Sequence, residues 1–148
     1  MAPALLDTNV LVHAIYADSP LYDAALTLVT RGMTERGRYC IAPQNLVEFA
    51  AVATRPRFVH PALTPEEAAT KVALLFRSRI LSKIYPRRAT VLRAAAHGRA
   101  LGIAGPAWYD LLLATSMSEA GVGVVITENV SDFARFPFVT ARRIQDEA

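Results

Sequence analysis

Residues 5–12 read LLDTNVLV, an apolar stretch that is interrupted by a single acid, Asp7. The residues before it, Ala4 to Leu6, are typical of a buried strand, and the residues from Asn9 onward predict a helix. A carboxylate that directly follows a buried strand loses hydration, and it is tolerated only where charged or hydrogen-bonding groups replace the water. Asp7 is therefore the first candidate for a functional residue.

Three further acids lie in comparable apolar stretches. They are Glu48 in residues 45–52 (NLVEFAAV), Asp110 in residues 108–115 (WYDLLLAT) and Asp132 in residues 127–133 (TENVSDF). No basic residue is adjacent to any of the acids in sequence. Carboxylates that folding brings together repel one another, and oxygen-rich clusters of this kind suit Mg²⁺ or Mn²⁺. The sequence therefore predicts a metal site made of four carboxylates from four separate segments.

The composition indicates one globular domain over residues 1–148. Hydrophobic residues make up 53% of the chain, which is enough for a full core and argues against disorder. The single cysteine, Cys40, excludes an internal disulfide and a cysteine-based zinc cluster, and we expect it to be buried. The first residues have no basic segment, and no uncharged stretch is long enough to span a membrane. We therefore predict a soluble, cytoplasmic protein.

The positive charge of the chain is carried almost entirely by arginine. The net charge is only +3, but 14 of the 16 basic residues are Arg. Arginine binds phosphate with two parallel hydrogen bonds and stacks on bases. This composition favours a nucleic-acid partner, although genome base content alone can also produce an excess of arginine.

Short apolar segments alternate with helical patterns along the chain. We predict strands at 4–6, 39–42, 80–85, 124–127 and 138–140, and helices at 9–17, 21–35, 43–53, 65–79, 87–101 and 106–119. This alternation predicts an α/β domain with a mostly parallel sheet. Ligands of such sheets bind beyond the carboxyl ends of the strands, where all four acids are expected to meet.

The four segments resemble the PIN-domain family and, within it, the VapC toxins of bacterial toxin–antitoxin pairs. The resemblance runs from about Ala4 to Phe138 and keeps the order and approximate spacing of all four acids. The sequence departs from the family pattern at Leu112 and Leu113, where smaller residues are frequent in the family. This departure affects packing more than chemistry.

The resemblance implies a three-layer α/β/α sandwich and an endoribonuclease that depends on Mg²⁺ or Mn²⁺. Asp7 and Asp110 are expected to bind the metal directly. Glu48 and Asp132 would complete the site, hold a second ion or orient the attacking water. Attack by water would leave a 5′-phosphate and a 3′-hydroxyl, as the family implies.

Other residues near the acids have predicted supporting roles. Thr8, Asn9 and Thr127 are expected to hydrogen-bond to the metal ligands, unless they act only in turns or helix caps. Side chains predicted to contact RNA are Arg55, Arg57 and Trp108, with solvent exposure or core packing as the alternatives. We expect Glu128 to face solvent, and the scattered histidines His13, His60 and His97 have no predicted role.

The resemblance also implies a small VapB-type antitoxin as partner. We expect it to lay an apolar helix against the protein and to insert an Arg or Lys among the four acids. The helices beginning near Asn9 and Leu21 are rich in apolar residues and are predicted to supply this groove and a homodimer surface.

Two alternative functions fit parts of the sequence. The first is an aspartate-nucleophile phosphatase, because Asp7 ends a strand; however, Asn9 stands where such enzymes have a second acid, and only Lys71 and Lys83 are available as the required lysine. The second is a non-catalytic module of the same fold that binds RNA or protein. The motifs of P-loop nucleotide hydrolases and serine hydrolases are absent from the sequence.

Overall fold

The computed structural model describes residues 2–148, which form five strands and eight helices. In chain order these are β1 (Ala4–Leu6), α1 (Thr8–His13), α2 (Tyr22–Thr34), β2 (Tyr39–Ile41), α3 (Pro43–Ala53), α4 (Pro65–Arg77), β3 (Ser82–Lys83), α5 (Thr90–Leu101), α6 (Ala107–Glu119), β4 (Val124–Ile126), α7 (Val130–Phe133), β5 (Thr140–Arg142) and α8 (Ile144–Glu147). The predicted single domain over residues 1–148 includes Met1, which lies outside the described residues.

All five strands are parallel and form one sheet in the order β3-β2-β1-β4-β5. From β1 the chain first builds outward through β2 and β3, and then returns to the other side of β1 for β4 and β5. The order therefore reverses between β1 and β4. In open parallel sheets the crevice at the carboxyl ends of two such strands is where ligands bind.

Helices cover both faces of the sheet, because neighbouring strand residues point to opposite sides. Leu5, Cys40 and Val125 belong to one core, which they share with residues of α5, α6 and α7. Leu6 and Ile126 belong to the other core, which they share with residues of α1 to α4 and α8. This arrangement confirms the predicted α/β/α sandwich with a parallel sheet. Cys40 is fully buried, as predicted.

The two helices that carry acids near their starts begin as the sequence predicts. α3 begins at Pro43, directly after β2, so Glu48 is brought close to the carboxyl end of that strand. α6 begins after Gly105 and Pro106 and ends before Gly121, whose backbone is left-handed with φ of 73°. That conformation favours glycine and stops the helix.

Several predicted elements are longer than the observed ones, and α1, β3 and α4 show this clearly. α1 ends at His13 and not near Ala17, because the chain tightens into short turns before Ser19 and Pro20. The predicted strand 80–85 shrinks to β3, since the Ser78 hydroxyl accepts hydrogen bonds from the backbone of Ile80 and Leu81 and holds a turn there. α4 ends at Arg77, two residues before the predicted end.

The last third of the chain differs most from the prediction. α5 begins at Thr90 and not at Arg87, because the backbone N–H of Arg87 donates to the Thr90 side chain in a turn before the helix. β5 lies at 140–142 and not at 138–140, because Phe138 stacks on Phe136 and Thr140 is the first residue to pair with β4. The short helices α7 and α8 were not predicted. Among residues 2–148, no helix combines the length and apolar composition needed to cross a membrane.

Candidate functional site

A cleft of about 450 Å³ opens at the carboxyl ends of β1 and β4, where the strand order reverses. Asp7, Glu48 and Asp110 line it. They come from the end of β1, from α3 and from the start of α6. The fourth predicted acid, Asp132, lies on α7 with its side chain exposed and does not line the cleft, but its charge acts on both aspartates within it. A cleft of this size is in the range that holds small ligands.

Asp7 is the most deeply placed of the acids, with only 9% of the residue exposed. One carboxylate oxygen, Oδ1, accepts a hydrogen bond of 2.8 Å from the backbone N–H of Thr8 and so caps α1. The other, Oδ2, accepts from the Thr127 hydroxyl at 2.8 Å and from the Asn9 amide at 3.3 Å. These donors replace part of the lost hydration, which allows a carboxylate to remain at the end of a buried strand.

Thr127 and Asn9 also join the two sides of the cleft. The Thr127 hydroxyl accepts from the Asn9 side-chain amide at 3.1 Å and from the backbone N–H of Asn129 at 3.0 Å. The Asn9 side-chain oxygen accepts from the backbone N–H of Glu128 at 3.1 Å. The end of β4 is therefore fixed against the start of α1 around the Asp7 carboxylate.

Both carboxylate oxygens of Glu48 are held by neighbouring side chains. The Thr8 hydroxyl donates to Oε2 at 2.7 Å, and the Gln44 amide donates to Oε1 at 2.9 Å. The buried Asn45 amide donates to the Thr8 hydroxyl at 3.2 Å, which orients that hydroxyl toward Glu48. Gln44 and Asn45 were missed from the sequence; a signal for Gln44 is its spacing of four residues from Glu48 on one helix face.

The acids act electrostatically on one another. Burial, and then the charges of Asp7, Asp132 and Glu48, raise the pKa of Asp110 from 3.8 to about 6, and Arg135 opposes this shift. The pKa of Asp7 is also raised, first by burial and further by Glu48 and Asp132, against the hydrogen bonds from Thr127 and Thr8. The four carboxylates therefore form one negatively charged centre. Arg135 was not identified from the sequence.

The described part of the chain provides no ion pair that neutralises this centre. Among residues 2–148, none of the four acids forms a salt bridge with Lys, Arg or His, whereas acids elsewhere in the chain pair with Arg31, Arg38, Arg93 and Arg142. Within the same residues, no three His, Cys, Asp or Glu side chains stand in an arrangement that could hold a metal ion by themselves. Asp7, Glu48 and Asp110 thus line an open cleft and do not form a closed cage.

The donor set nevertheless fits a hard divalent cation. Mg²⁺ is usually bound by one or two carboxylates, keeps several waters and takes further oxygens from substrate phosphates, so an open cleft with uncompensated carboxylates meets its needs. Burial, and then the surrounding negative charge, raise the pKa of Asp7 and of Asp110, so these two carboxylates would be stabilised most by such an ion.

The three residues predicted to contact RNA do not line the cleft. Trp108 is 40% exposed, but its indole N–H donates to the Ile103 carbonyl at 3.1 Å and its ring packs on Gly98 of α5. Arg55 and Arg57 are exposed on the turn after α3. Contacts of these residues with RNA stay predictions.

Glu128 is exposed, as predicted, but it also lines the cleft and contacts a histidine. His13 Nε2 lies 2.7 Å from Glu128 Oε2, and His13 Nδ1 lies 2.6 Å from the Ser19 hydroxyl. The sequence gives no sign of this contact, because His13 and Glu128 are 115 residues apart.

Comparisons with known proteins agree with this architecture. The PIN domain family model matches residues 4–139. No curated protein matches the chain in sequence. In solved structures, a chain of the DNA-bound VapBC from Salmonella typhimurium is 23% identical with a TM-score of 0.65, over 97% of this chain and 99% of that one.

Two further structures are similar in fold. A chain of VapBC2 from Rickettsia felis, bound to a DNA fragment of its promoter, is 19% identical with a TM-score of 0.63, over 95% of this chain and 97% of that one. VapC20 from Mycobacterium tuberculosis, described as a sarcin-ricin loop cleaving toxin, is 13% identical with a TM-score of 0.62, over 82% of this chain and 86% of that one. At these identities the likeness concerns the fold.

Proposed function

Because the chain belongs to the PIN-domain family, we propose that it is a metal-dependent endoribonuclease and the toxin of a VapBC-type toxin–antitoxin pair. The observation that carries the proposal is that Asp7, Glu48 and Asp110 line one cleft, that the charge of Asp132 acts on both aspartates, and that none of these acids forms an ion pair within residues 2–148. Further support comes from the fold, which the chain shares with VapBC complexes and with a toxin described as cleaving the sarcin-ricin loop.

We propose Asp7 and Asp110 as direct ligands of Mg²⁺ or Mn²⁺, with Glu48 and Asp132 completing the site or orienting the attacking water. A bound divalent ion would supply a nucleophilic water near neutral pH and stabilise the charge on the attacking and leaving oxygens of the phosphodiester. The rest of the chemistry depends on how the protein places its own groups.

The side chains around the acids fix their orientation before substrate binds. Thr8 and Gln44 each donate a hydrogen bond to one oxygen of Glu48, and these two bonds fix the orientation of its carboxylate. Asn9 and Thr127 hold one oxygen of Asp7 and anchor the end of β4. We propose that these contacts position ligands and water for attack on the phosphodiester, as hydrogen bonds to metal ligands do in other metal sites.

Incubation of purified protein with total RNA and Mg²⁺ or Mn²⁺, followed by mapping of the fragment ends, tests the proposal. We expect cleavage at defined sites that leaves 5′-phosphate and 3′-hydroxyl ends. Excess chelator should abolish cleavage, and Ca²⁺ should support it poorly. Full cleavage in chelator, or fragments with cyclic phosphate ends, would contradict the metal mechanism and indicate an acid–base ribonuclease.

An apolar groove supports the proposal of an antitoxin partner. The groove, of about 160 Å³, lies between α1, α2, α3 and α4 and includes Leu11, Ile15, Leu26 and Leu74. Leu26 and Leu74 are exposed, so the core does not use these side chains fully. We propose that an apolar helix of a VapB-type antitoxin fills this groove and that an Arg or Lys of the same partner reaches the acids.

Co-expression with the product of the adjacent small reading frame tests this partner. We expect a stable complex with suppressed ribonuclease activity, and toxicity when the chain is expressed alone. Harmless expression of an active nuclease that binds no small protein would indicate a housekeeping PIN nuclease. A homodimer and a cytoplasmic location stay predictions.

The structure disfavours the phosphatase alternative. Such an enzyme needs a lysine in its site, but Lys71 lies in the apolar groove and Lys83 donates to the carbonyls of Ser78 and Leu81. A non-catalytic binding module has no evident use for four uncompensated carboxylates, since phosphate would be repelled by them.

A further inference from the structure

We propose that the cleft contains a binding subsite for an unpaired guanine base. In this subsite the base stacks on Phe58, and Glu128 accepts hydrogen bonds from its Watson–Crick edge. The inference rests on the proposed cleavage of RNA and adds the identity of a base that lies beside the cut. It comes from side chains of the cleft that are not among the four acids.

The first observation is an apolar wall within an otherwise polar cleft. Val12, Val52 and Phe58 line the cleft together with the carboxylates, and Phe58 is exposed. A carboxylate site for metal and phosphate does not require apolar surface, whereas an unpaired base does. The Arg57 guanidinium lies 5.7 Å from the centroid of the Phe58 ring, which adds a positive charge close to the position of a stacked nucleotide.

The second observation is the fixed position of Glu128 on the rim of the same cleft. Its Oε2 is held by His13 Nε2 at 2.7 Å, and the Ser19 hydroxyl holds the other ring nitrogen of His13 at 2.6 Å. The Ser19 oxygen also accepts from the backbone N–H of Leu21 at 3.1 Å, which fixes the hydroxyl beside His13. Because a carboxylate only accepts hydrogen bonds, His13 Nε2–H donates to Glu128. The carboxylate is thereby oriented before any ligand arrives.

Glu128 adds a further carboxylate to the three acids Asp7, Glu48 and Asp110 that line the cleft, which is unfavourable beside phosphate, so its presence there favours a ligand that donates hydrogen bonds. Among the RNA bases, only guanine presents two adjacent donors, N1–H and the N2 amino group, on its Watson–Crick edge. Adenine and cytosine place an acceptor beside their amino group, and uracil flanks its N3–H with two carbonyls. The two oxygens of Glu128 can therefore accept both hydrogen bonds from guanine, whereas in the other bases at least one of them would face an acceptor and be repelled.

Asn129 supplies a further group for the same base. It lines the cleft beside Glu128, and within residues 2–148 its side-chain amide has no hydrogen-bond partner, although its backbone N–H donates to Thr127. An amide donor next to the carboxylate matches the O6 acceptor that adjoins N1–H in guanine. Stacking on Phe58 would give affinity for any base, and Glu128 with Asn129 would give the preference for guanine.

Short oligouridines that carry one G, A, C or inosine at the centre test the subsite, with cleavage in Mg²⁺ or Mn²⁺ mapped to the nucleotide. We expect the G oligomer to be cleaved beside its guanine about tenfold to a hundredfold faster than the A oligomer, the range expected of a good bidentate contact. Inosine, which lacks the N2 amino group, should lose most of this advantage.

The variant Glu128→Gln tests the hydrogen bonds to the base separately from the hydrogen bond between residue 128 and His13. The glutamine oxygen can still accept from His13 Nε2–H, while its amide N–H₂ faces the donors of guanine. We expect the ratio of G to A cleavage to fall to near one. Because the ratio compares two oligomers on the same protein, a general change in activity cancels. Glu66→Gln, an exposed acid on α4, is the matched control and should keep the wild-type ratio.

The variant Phe58→Leu tests the stacking surface. We expect it to lower the affinity for all four oligomers about tenfold without changing the ratio of G to A cleavage. Equal cleavage of all four oligomers by the wild type, or a guanine preference that survives in Glu128→Gln, would overturn the inference. If no oligomer is cleaved, the assay with total RNA decides the proposed nuclease function. Binding of the same oligomers, measured by fluorescence anisotropy in chelator, then decides the subsite separately: equal affinities overturn it, and preference for G supports it.

Discussion

The acidic cleft and the apolar groove lie on opposite sides of the same short helix, α1. Thr8 and Asn9 of α1 face the cleft, whereas Leu11 faces the groove. The cleft is about 450 Å³ and contains buried, uncompensated charge. The groove is about 160 Å³ and is lined almost entirely by apolar side chains. One six-residue helix therefore separates a charged site from a packing surface.

The two regions contribute to the stability of the metal-free protein with opposite sign. In the groove, each apolar side chain that is covered stabilises the fold or a complex, by roughly 25 cal/mol per Å² of buried area. In the cleft, burial and mutual repulsion destabilise the metal-free protein, as the raised pKa of Asp110 indicates. A ligand that supplies positive charge removes this cost. A single antitoxin with an apolar helix and a basic side chain would satisfy both regions at once.

The largest effect should come from loss of a proposed ligand in the cleft. We expect Asp110→Asn to lower kcat for RNA cleavage by about a hundredfold or more, because even groups that only support metal ligands often contribute tenfold to a hundredfold. The measurement is single-turnover cleavage of a mapped RNA at saturating Mg²⁺. Asp18→Asn, an exposed acid on the turn after α1, is the matched control. Wild-type cleavage by Asp110→Asn would remove this residue from the site.

The next effect concerns the groove. Leu74 is 62% exposed and lines the groove, so Leu74→Glu should fold normally and place a charge where the partner helix lies. We expect the Kd for the antitoxin to rise by about tenfold to a hundredfold. Titration calorimetry measures this change. Leu92→Glu, at a leucine that is 74% exposed on α5, should bind like the wild type. Equal affinity of the Leu74 variant would place the antitoxin elsewhere.

A smaller effect on cleavage should follow when Glu48 is kept but loses a hydrogen bond that orients its carboxylate. Thr8→Val keeps the shape of the side chain but removes the hydroxyl that donates to Glu48 and accepts from Asn45. We expect kcat to fall about tenfold with little change in KM, since the lost contact acts on positioning. Thr30→Val, at an exposed threonine on α2, is the control. A variant with unchanged kcat would mean that Glu48 needs no support from Thr8.

The smallest effect concerns the stability of the metal-free protein. The pKa of Asp110 in the fold, about 6, exceeds its ordinary value of 3.8, so the folded state binds this proton more tightly than the unfolded chain. The resulting stabilisation is complete below a pH of about 4 and is lost as the pH rises through about 6. We expect Asp110→Asn to be more stable than the wild type at a pH of about 8, by about 1 kcal/mol after allowance for solvent screening.

Thermal unfolding in chelator measures this difference, which corresponds to a few degrees in Tm for a chain of this size. The advantage of Asp110→Asn should vanish at a pH of about 4, where the wild-type carboxyl is protonated in both states. Addition of Mg²⁺ should stabilise the wild type more than the variant. A constant difference across this pH range would show that the charge of Asp110 is not the cause.

The parts of the molecule that were predictable from sequence are those with local signals. Asp7 stands out because an acid follows directly on a buried apolar strand, and the start of α6 because Gly105 and Pro106 precede it. The all-parallel sheet follows from strands that alternate with helices. β5 was misplaced by two residues because its position depends on the packing of Phe138 and on pairing with β4, which no local pattern records.

The residues of the site that were not predicted from the sequence were missed for a different reason. Gln44 hydrogen-bonds to Glu48 and to the carbonyl of Tyr109, 65 residues away, and Glu128 contacts His13, 115 residues away. Such contacts depend on how distant segments pack, and neither residue type is unusual in its local sequence. The acids themselves were recognisable because a carboxylate in an apolar stretch is costly, whereas the residues that support them carry no such penalty.

Binding of Mn²⁺ to the purified protein, monitored by the electron paramagnetic resonance signal of the free ion, tests whether the four acids, which form no ion pair within residues 2–148, hold a divalent cation. We expect saturable binding by the wild type and by Asp18→Asn, competition by Mg²⁺, and loss of binding in both Asp7→Asn and Asp110→Asn. Equal binding by all four proteins, or no saturable binding by the wild type with RNA present, would contradict this metal site.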